Sequence, residues 1–211
     1  MTRIAVIDFE TTGLSPNLGD RATEIALLIV EGGRVVDRYA SLMNAGVRIP
    51  AQITALTGIT NDMVRAAPPA AQVMREAIRR VGNSPIVAHN ASFDRRFWMA
   101  EAGYVQVTAT NEFLCTMLLA RRLYPEAADH KLGTLVELHG LPRPGAAHRA
   151  LADAEMAASL LLRIQGDLRQ QHRIAAPDPA LLKRLQACPR NKVPALLAQS
   201  AAPVAVVRRG R

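Results

Sequence analysis

The segment Glu24–Glu31 most constrains the fold, because its apolar residues do not alternate. Ile25, Leu27 and Ile29 would point to one side of a strand and Ala26, Leu28 and Val30 to the other. A strand apolar on both faces belongs inside a sheet covered on both sides. Residues 3–9 form a second such strand, with Ile4, Val6 and Asp8 on one face and Ala5, Ile7 and Phe9 on the other. Gly32-Gly33 can supply the positive φ angles of a tight hairpin into a third strand, roughly Arg34 to Leu42.

The rest of the chain alternates. Pro50 opens a short helical segment that ends before Gly58, and a helix runs from about Pro68 to Val81, stopping at Gly82-Asn83. Pro85–His89 reads as a short strand. Ser92 is placed to cap a helix over Phe93–Ala102 closed by Gly103. A last strand near Phe113 leads into helices around Thr116–Leu123, Leu132–His139 and Arg149–Gln165. The expected fold class is therefore α/β: a mixed sheet of five strands flanked by helices.

Charge divides the chain. Its net charge is +8, and residues 169–211 carry nine Lys/Arg against one acid, Asp178, whereas residues 1–168 carry 17 of each sign. A domain over 1–168 followed by a basic, partly helical or disordered tail over 169–211 is the expected organisation. Ala175–Pro179 looks like a linker. Two short amphipathic stretches follow (Leu181, Leu182, Leu185; Val193, Leu196, Leu197), and VVRRGR is expected to be a disordered end. The tail has three readings: phosphate binding, docking on a protein, or a solubilising extension. Cys115 and Cys188 form no CxxC pair, so a disulfide framework or zinc site is not expected, and a cytoplasmic location fits. No run approaches the ~18 apolar residues of a membrane helix, and MTRIAVIDFE does not read as a signal peptide.

Three segments carry candidate chemistry. Asp8 and Glu10 sit two apart at the C-terminal end of the first strand, on one side and ~7 Å apart, where α/β sheets gather ligands. Adjacent carboxylates repel unless a cation lies between them, and hard divalent cations prefer such ligands. Taken alone the pair is weak evidence, and a solvated strand end is its more ordinary explanation. Asp94 falls in the first turn of a helix after a short strand, where a favourable helix-dipole contact accounts for many aspartates. Phe93 and Phe97, at i and i+4, fit core packing better than a base-stacking platform. Asp153 shares a helix face with Ala157, Leu160 and Ile164, so an ionised carboxylate there needs a partner. Arg149, four residues earlier, is one candidate partner and a metal is another, with His148 able to reach the same place from a loop.

Taken together, VIDFETTG (6–13), LTGIT (56–60), VAHNASFD (87–94), LCTMLLARRLYP (114–125), HKLGTLVELHGL (130–141) and HRALADA (148–154) resemble the DEDDh superfamily of 3′–5′ exonucleases, also called DnaQ-like or RNase T-like. The resemblance spans about residues 3–165, and all five signature residues, Asp8, Glu10, Asp94, His148 and Asp153, are in place. One departure is Thr57, where epsilon-type proofreaders often carry a His; it bears on the subfamily rather than the chemistry.

The resemblance implies a ribonuclease H-like fold and two divalent ions, Mg²⁺ or Mn²⁺, with Asp8 shared, Glu10 and Asp153 on the first and Asp94 on the second. It implies that His148 takes a proton from the attacking water, a role suited to a side chain whose ordinary pKa is ~6.5. Products would be nucleoside 5′-monophosphates. Thr11 and Thr12 are expected to grip the terminal nucleotide, with His89, Asn90 and Phe93 lining the same pocket. Expected partners are single-stranded 3′ ends, DNA rather than RNA, in repair or proofreading, and a polymerase or other protein through the 176–211 tail. Two other functions compete: an exoribonuclease, and a non-catalytic interaction subunit, whose mark would be a missing acid. None is missing.

Overall fold

A computed structural model describes residues 3–145 and 148–201. The first three strands, β1 (Arg3–Thr11), β2 (Ala22–Glu31) and β3 (Arg34–Leu42), form an antiparallel meander. Gly32 and Gly33 turn the hairpin at φ 59° and 80°, the pair of positive angles that a two-residue turn with native twist requires. Two short strands, β4 (Ile86–Ala88) and β5 (Phe113–Cys115), add in parallel beyond β1. The order is β3-β2-β1-β4-β5, the expected five-stranded mixed sheet.

Both faces are covered, as the β2 pattern requires. Ile4, Val6, Ala26, Leu28 and Val30 lie under α5 (Thr116–Leu123), α6 (Leu132–Leu138) and α7 (Ala150–Gln170). Ala5, Ile7, Phe9, Ile25, Leu27 and Ile29 lie under α3 (Ala70–Val81) and α4 (Ser92–Tyr104). Two small helices, α1 (Ala51–Thr57) and α2 (Asn61–Ala66), close over Ile49, Ile59 and Val64.

Local chemistry explains where the elements depart from expectation. The α2 helix was not anticipated; the Thr60 hydroxyl caps it by accepting the Met63 N–H at 3.2 Å. Ser92 does not cap α4. It lies inside the first turn, Ala91 is the cap residue, and Asn90 at φ 63° makes the turn by accepting the Phe93 N–H at 2.9 Å. Nor does Gly103 close that helix, which continues to Tyr104; the left-handed residue is Gln106, at φ 61°.

At the C-terminal side, α7 runs on past Gln165 to Gln170, so the expected division at residue 168 falls inside a helix whose Leu168 is fully buried. Two further helices follow, α8 (Pro179–Ala187) and α9 (Val193–Ser200). Asp178 caps α8 by accepting the Leu181 N–H at 2.8 Å. Leu181, Leu182, Leu185, Val193 and Leu197 all join the core beneath α7. Of the leucines read as a docking surface for another protein, Leu181, Leu182, Leu185 and Leu197 are therefore buried on this domain and Leu196 is half-buried against it. Gln186 covers the sheet's edge, accepting the Cys115 N–H at 2.8 Å and donating to the Phe113 carbonyl at 3.3 Å. An open parallel edge would otherwise offer a template for another chain. The VVRRGR end lies outside the described residues.

Candidate active site

The parallel pairing of β1 and β4 brings two strand ends together, and α4 and α7 begin beside them. The cleft there, of about 220 Å³, is lined by Asp8, Glu10, Asp94, His148 and Asp153, with Leu14, Ile53, Leu56, Thr57, His89, Asn90 and Phe93 among its walls. All five candidate catalytic residues are brought together from separate parts of the chain.

Each acid is placed by a distinct local device. Asp8 and Glu10 alternate with Ile4 and Val6, so they extend the β1 face that packs on α7. Asp94, in the first turn of α4 and 2% exposed, accepts the Phe9 N–H at 3.2 Å, which ties that helix to β1 between the two acids. Asp153, in the first turn of α7, accepts the N–H of His148 at 3.2 Å. His148 has φ 59° and is exposed. Side-chain ligand atoms of Glu10, His148 and Asp153 lie within 4.8 Å of one another.

The electrostatics ask for a cation. Burial, then the neighbouring charges of Asp94, Asp153 and Glu10, push the Asp8 carboxyl well above its ordinary value. Glu10 is pushed up to about 8 by burial and by Asp153 and Glu24, against the opposing charge of Arg149. Burial also raises Asp94 and Asp153, against the hydrogen bonds each accepts. Arg149, one of the two partners considered for Asp153, turns away: it forks onto Glu24 at 2.8 and 3.2 Å. Among the described residues no Lys or Arg forms an ion pair with Asp8, Glu10, Asp94 or Asp153. Four carboxylates with no Lys or Arg in ion-pair contact, and an imidazole alongside, form a donor set that fits hard divalent cations.

The expected substrate-binding residues divide. Thr11 lies in the cleft wall, its hydroxyl donating to the Gly13 carbonyl at 2.6 Å. Thr12 does not line the cleft; its hydroxyl accepts the Arg21 N–H at 3.0 Å and holds the loop after β1. A Cβ at Gly13 would meet the Asp20 carboxylate, which would have to leave its place in that loop. His89 reaches the wall, but both its ring nitrogens are occupied. Nε2 lies 3.0 Å from the His130 carbonyl, which can only accept, so Nε2 carries the proton and Nδ1 accepts from the Thr116 hydroxyl at 2.9 Å. Burial lowers the His89 pKa to about 4, which keeps the ring neutral. Asn90 and Phe93 line the cleft, and Phe93 also packs at a tilt against Phe97 with ring centroids 5.0 Å apart, so it serves the core as well.

Sequence reasoning missed several residues here. Leu14 and Leu56 are 76% and 54% exposed at the mouth. Glu24, 4% exposed, pairs in register with Glu10 across β1 and β2 and binds Arg149. Its signal was its place at the head of an apolar strand, which marked it only as a boundary.

Sheet order and site together define a ribonuclease H-like nuclease fold. A family model described as Exonuclease, RNase T, matches residues 5–161. The chain belongs to this family, that of the DEDDh 3′–5′ exonucleases. Among solved structures, Exonuclease X in complex with 5′ overhanging duplex DNA is 33% identical with a TM-score of 0.63, covering 77% of this chain and 91% of that one. Escherichia coli Exonuclease I with a dT13 oligonucleotide superimposes with a TM-score of 0.69 at 18% identity, covering 87% and 44%, a likeness of fold. Among curated relatives, the 3′-5′ exonuclease DinG of Bacillus subtilis is 38% identical over 188 residues, and the PolC-type DNA polymerase III of the same organism is 38% identical over 168. The matches cover 87% and 79% of this chain but only 19% and 12% of those longer proteins.

Proposed function

We propose that this protein is a metal-dependent exonuclease that hydrolyses the terminal phosphodiester at the 3′ end of single-stranded DNA and releases nucleoside 5′-monophosphates, in repair or proofreading. The observation that carries the reading is the gathering of Asp8, Glu10, Asp94, Asp153 and His148 in one cleft. The named activities of Exonuclease X, DinG and the polymerase relatives support DNA as the substrate. Both described cysteines are free thiols, which accords with a reducing cytoplasm.

Asp8, Glu10 and Asp153 would hold one divalent cation, Mg²⁺ or Mn²⁺, and Asp8 with Asp94 a second. When bound, the ions supply Lewis acidity at the phosphoryl group and charge neutralisation at the leaving 3′-oxygen. The chain's own residues do the rest. His148, exposed at the cleft rim, takes the proton of the attacking water. Asp153 holds the His148 main chain and thereby aims the ring. Leu14, Leu56 and Phe93 offer apolar surface to the face of the terminal base, and Asn90 a polar side chain. His89 shapes the wall without exchanging protons, because its ring is locked neutral.

A panel of labelled DNA and RNA oligonucleotides with Mg²⁺ or Mn²⁺ tests this. The wild type should shorten DNA from the 3′ end one nucleotide at a time, and Asp8→Ala should not. His148→Ala should lose about 10²–10⁴-fold in rate while retaining Mn²⁺ binding. Full activity in excess EDTA would sink the metal scheme, and a strong preference for RNA would move the enzyme to exoribonucleases.

A further inference from the structure

Glu24 and Glu10 are cross-strand partners on one face of the sheet, where like charges directly opposite destabilise the pairing. The two are treated differently. Glu10 faces the cleft without a basic ion-pair partner, whereas Glu24 is buried and fully engaged from α7. Arg149 donates Nε and one terminal nitrogen to its two oxygens, at 3.2 and 2.8 Å, and the Ala150 N–H adds a third bond at 3.0 Å. Glu24 is thus the acceptor that caps α7, a duty the N-cap residue Arg149 cannot perform because its side chain has no acceptor.

The residue before Arg149 belongs to the site. His148 sits in the left-handed region at φ 59°, a conformation a non-glycine residue holds only when its surroundings impose it. One restraint is its own N–H bond to Asp153. Another is the peptide that follows, anchored to β2 through Arg149 and Ala150. From these contacts we propose that the Glu24–Arg149 pair is a positioning clamp that fixes the backbone turn at His148, and so aims the general base at the substrate held against β1. The inference rests on the nuclease reading above. Arg149 touches no reacting atom; it acts through its neighbour. The fork also requires arginine, since a lysine ammonium is a compact point charge and cannot set two nitrogens against the two carboxylate oxygens.

Two measurements test the clamp. The first needs no activity: amide hydrogen exchange of the metal-free protein, wild type against Arg149→Ala and Arg149→Lys. Exchange should quicken over residues 148–153 in both variants while β1 and β2 stay protected. Unchanged exchange over 148–153 overturns the clamp. The second is a double-mutant cycle on single-turnover hydrolysis of a labelled DNA oligonucleotide with saturating Mn²⁺. Arg149→Ala should lower the rate at least tenfold in the wild-type background, with KM within about threefold, and should cost almost nothing further in a His148→Ala background. Arg149→Lys should recover only part of the rate. An equal loss in both backgrounds would mean that Arg149 acts on stability or substrate binding instead, and would overturn the proposal. Should Arg149→Ala fold poorly, Glu24→Gln, which keeps an acceptor for the Ala150 N–H, replaces it in the cycle with the same expectations. A wild type that hydrolyses nothing overturns the nuclease reading, and the exchange result then decides the clamp's geometry alone.

Discussion

Carboxyl groups held above their ordinary range keep their protons longer folded than unfolded. Glu10, at about 8 against an ordinary 4.5, and Asp8, Asp94 and Asp153, all raised, belong to this class. Unfolding the metal-free protein therefore releases protons, and its stability falls as pH rises through the interval from 4.5 to about 8. A divalent cation that binds only the folded cleft reverses this, because it needs the same groups ionised. Thermal melts in EDTA should show a melting temperature that declines across this interval, and Mn²⁺ should raise it most at the alkaline end. Asp8→Asn removes one of the repelling charges, so it should melt higher than wild type in EDTA and gain little from Mn²⁺. A flat EDTA profile would contradict the electrostatic account of the site. Asp8, Glu10, Asp94, His148 and Asp153 were each legible in the sequence, because motif spacing recorded them. Glu24 was not, since its meaning depends on strand register and on an arginine 125 residues away.

Among the elements, α8 departs most from what composition indicates. Its lysine and arginine content marks it as part of a charged tail, yet Leu182 and Leu185 are fully buried and Gln186 closes the β5 edge. Lys183 and Glu112 add an ion pair on the same flank. Leu182→Ala should cost about 2–5 kcal/mol, the range for deleting a buried leucine side chain. Gln186→Ala, which leaves the Cys115 N–H without its acceptor, should cost about 1–3 kcal/mol. Chemical denaturation checks both. Deleting residues 176–211 should lower solubility and broaden the unfolding transition; a deletion that melts like wild type would show that α8 contributes nothing to the fold. The periodicity of α8 was visible beforehand. What it packs against was not, because short amphipathic helices look alike whether they cover their own domain or a partner.

For the whole molecule, the distribution of charge sets how a strand would be held. Residues 1–168 are neutral in sum, so the excess of +8 lies beyond them, and Arg208, Arg209 and Arg211 supply three of its charges. Affinity for a single-stranded oligonucleotide should fall with salt, and deleting residues 202–211 should reduce the slope of log K against log salt by about 2, at ~0.7 for each phosphate no longer neutralised. An unchanged slope would take this segment out of the interface. The amino-acid sequence by itself determined the layered sheet, through β2's apolar faces, and pointed, through motifs that resemble the DEDDh family, to the four acids and the histidine that the fold gathers in one cleft. These are local or periodic properties, written in neighbouring residues. Tertiary structure alone decided that Arg149 serves Glu24 rather than Asp153, that His89 has no free nitrogen, and that the C-terminal leucines stay at home. Each of those outcomes is a competition between partners far apart in the chain, and only the folded distances rank the competitors.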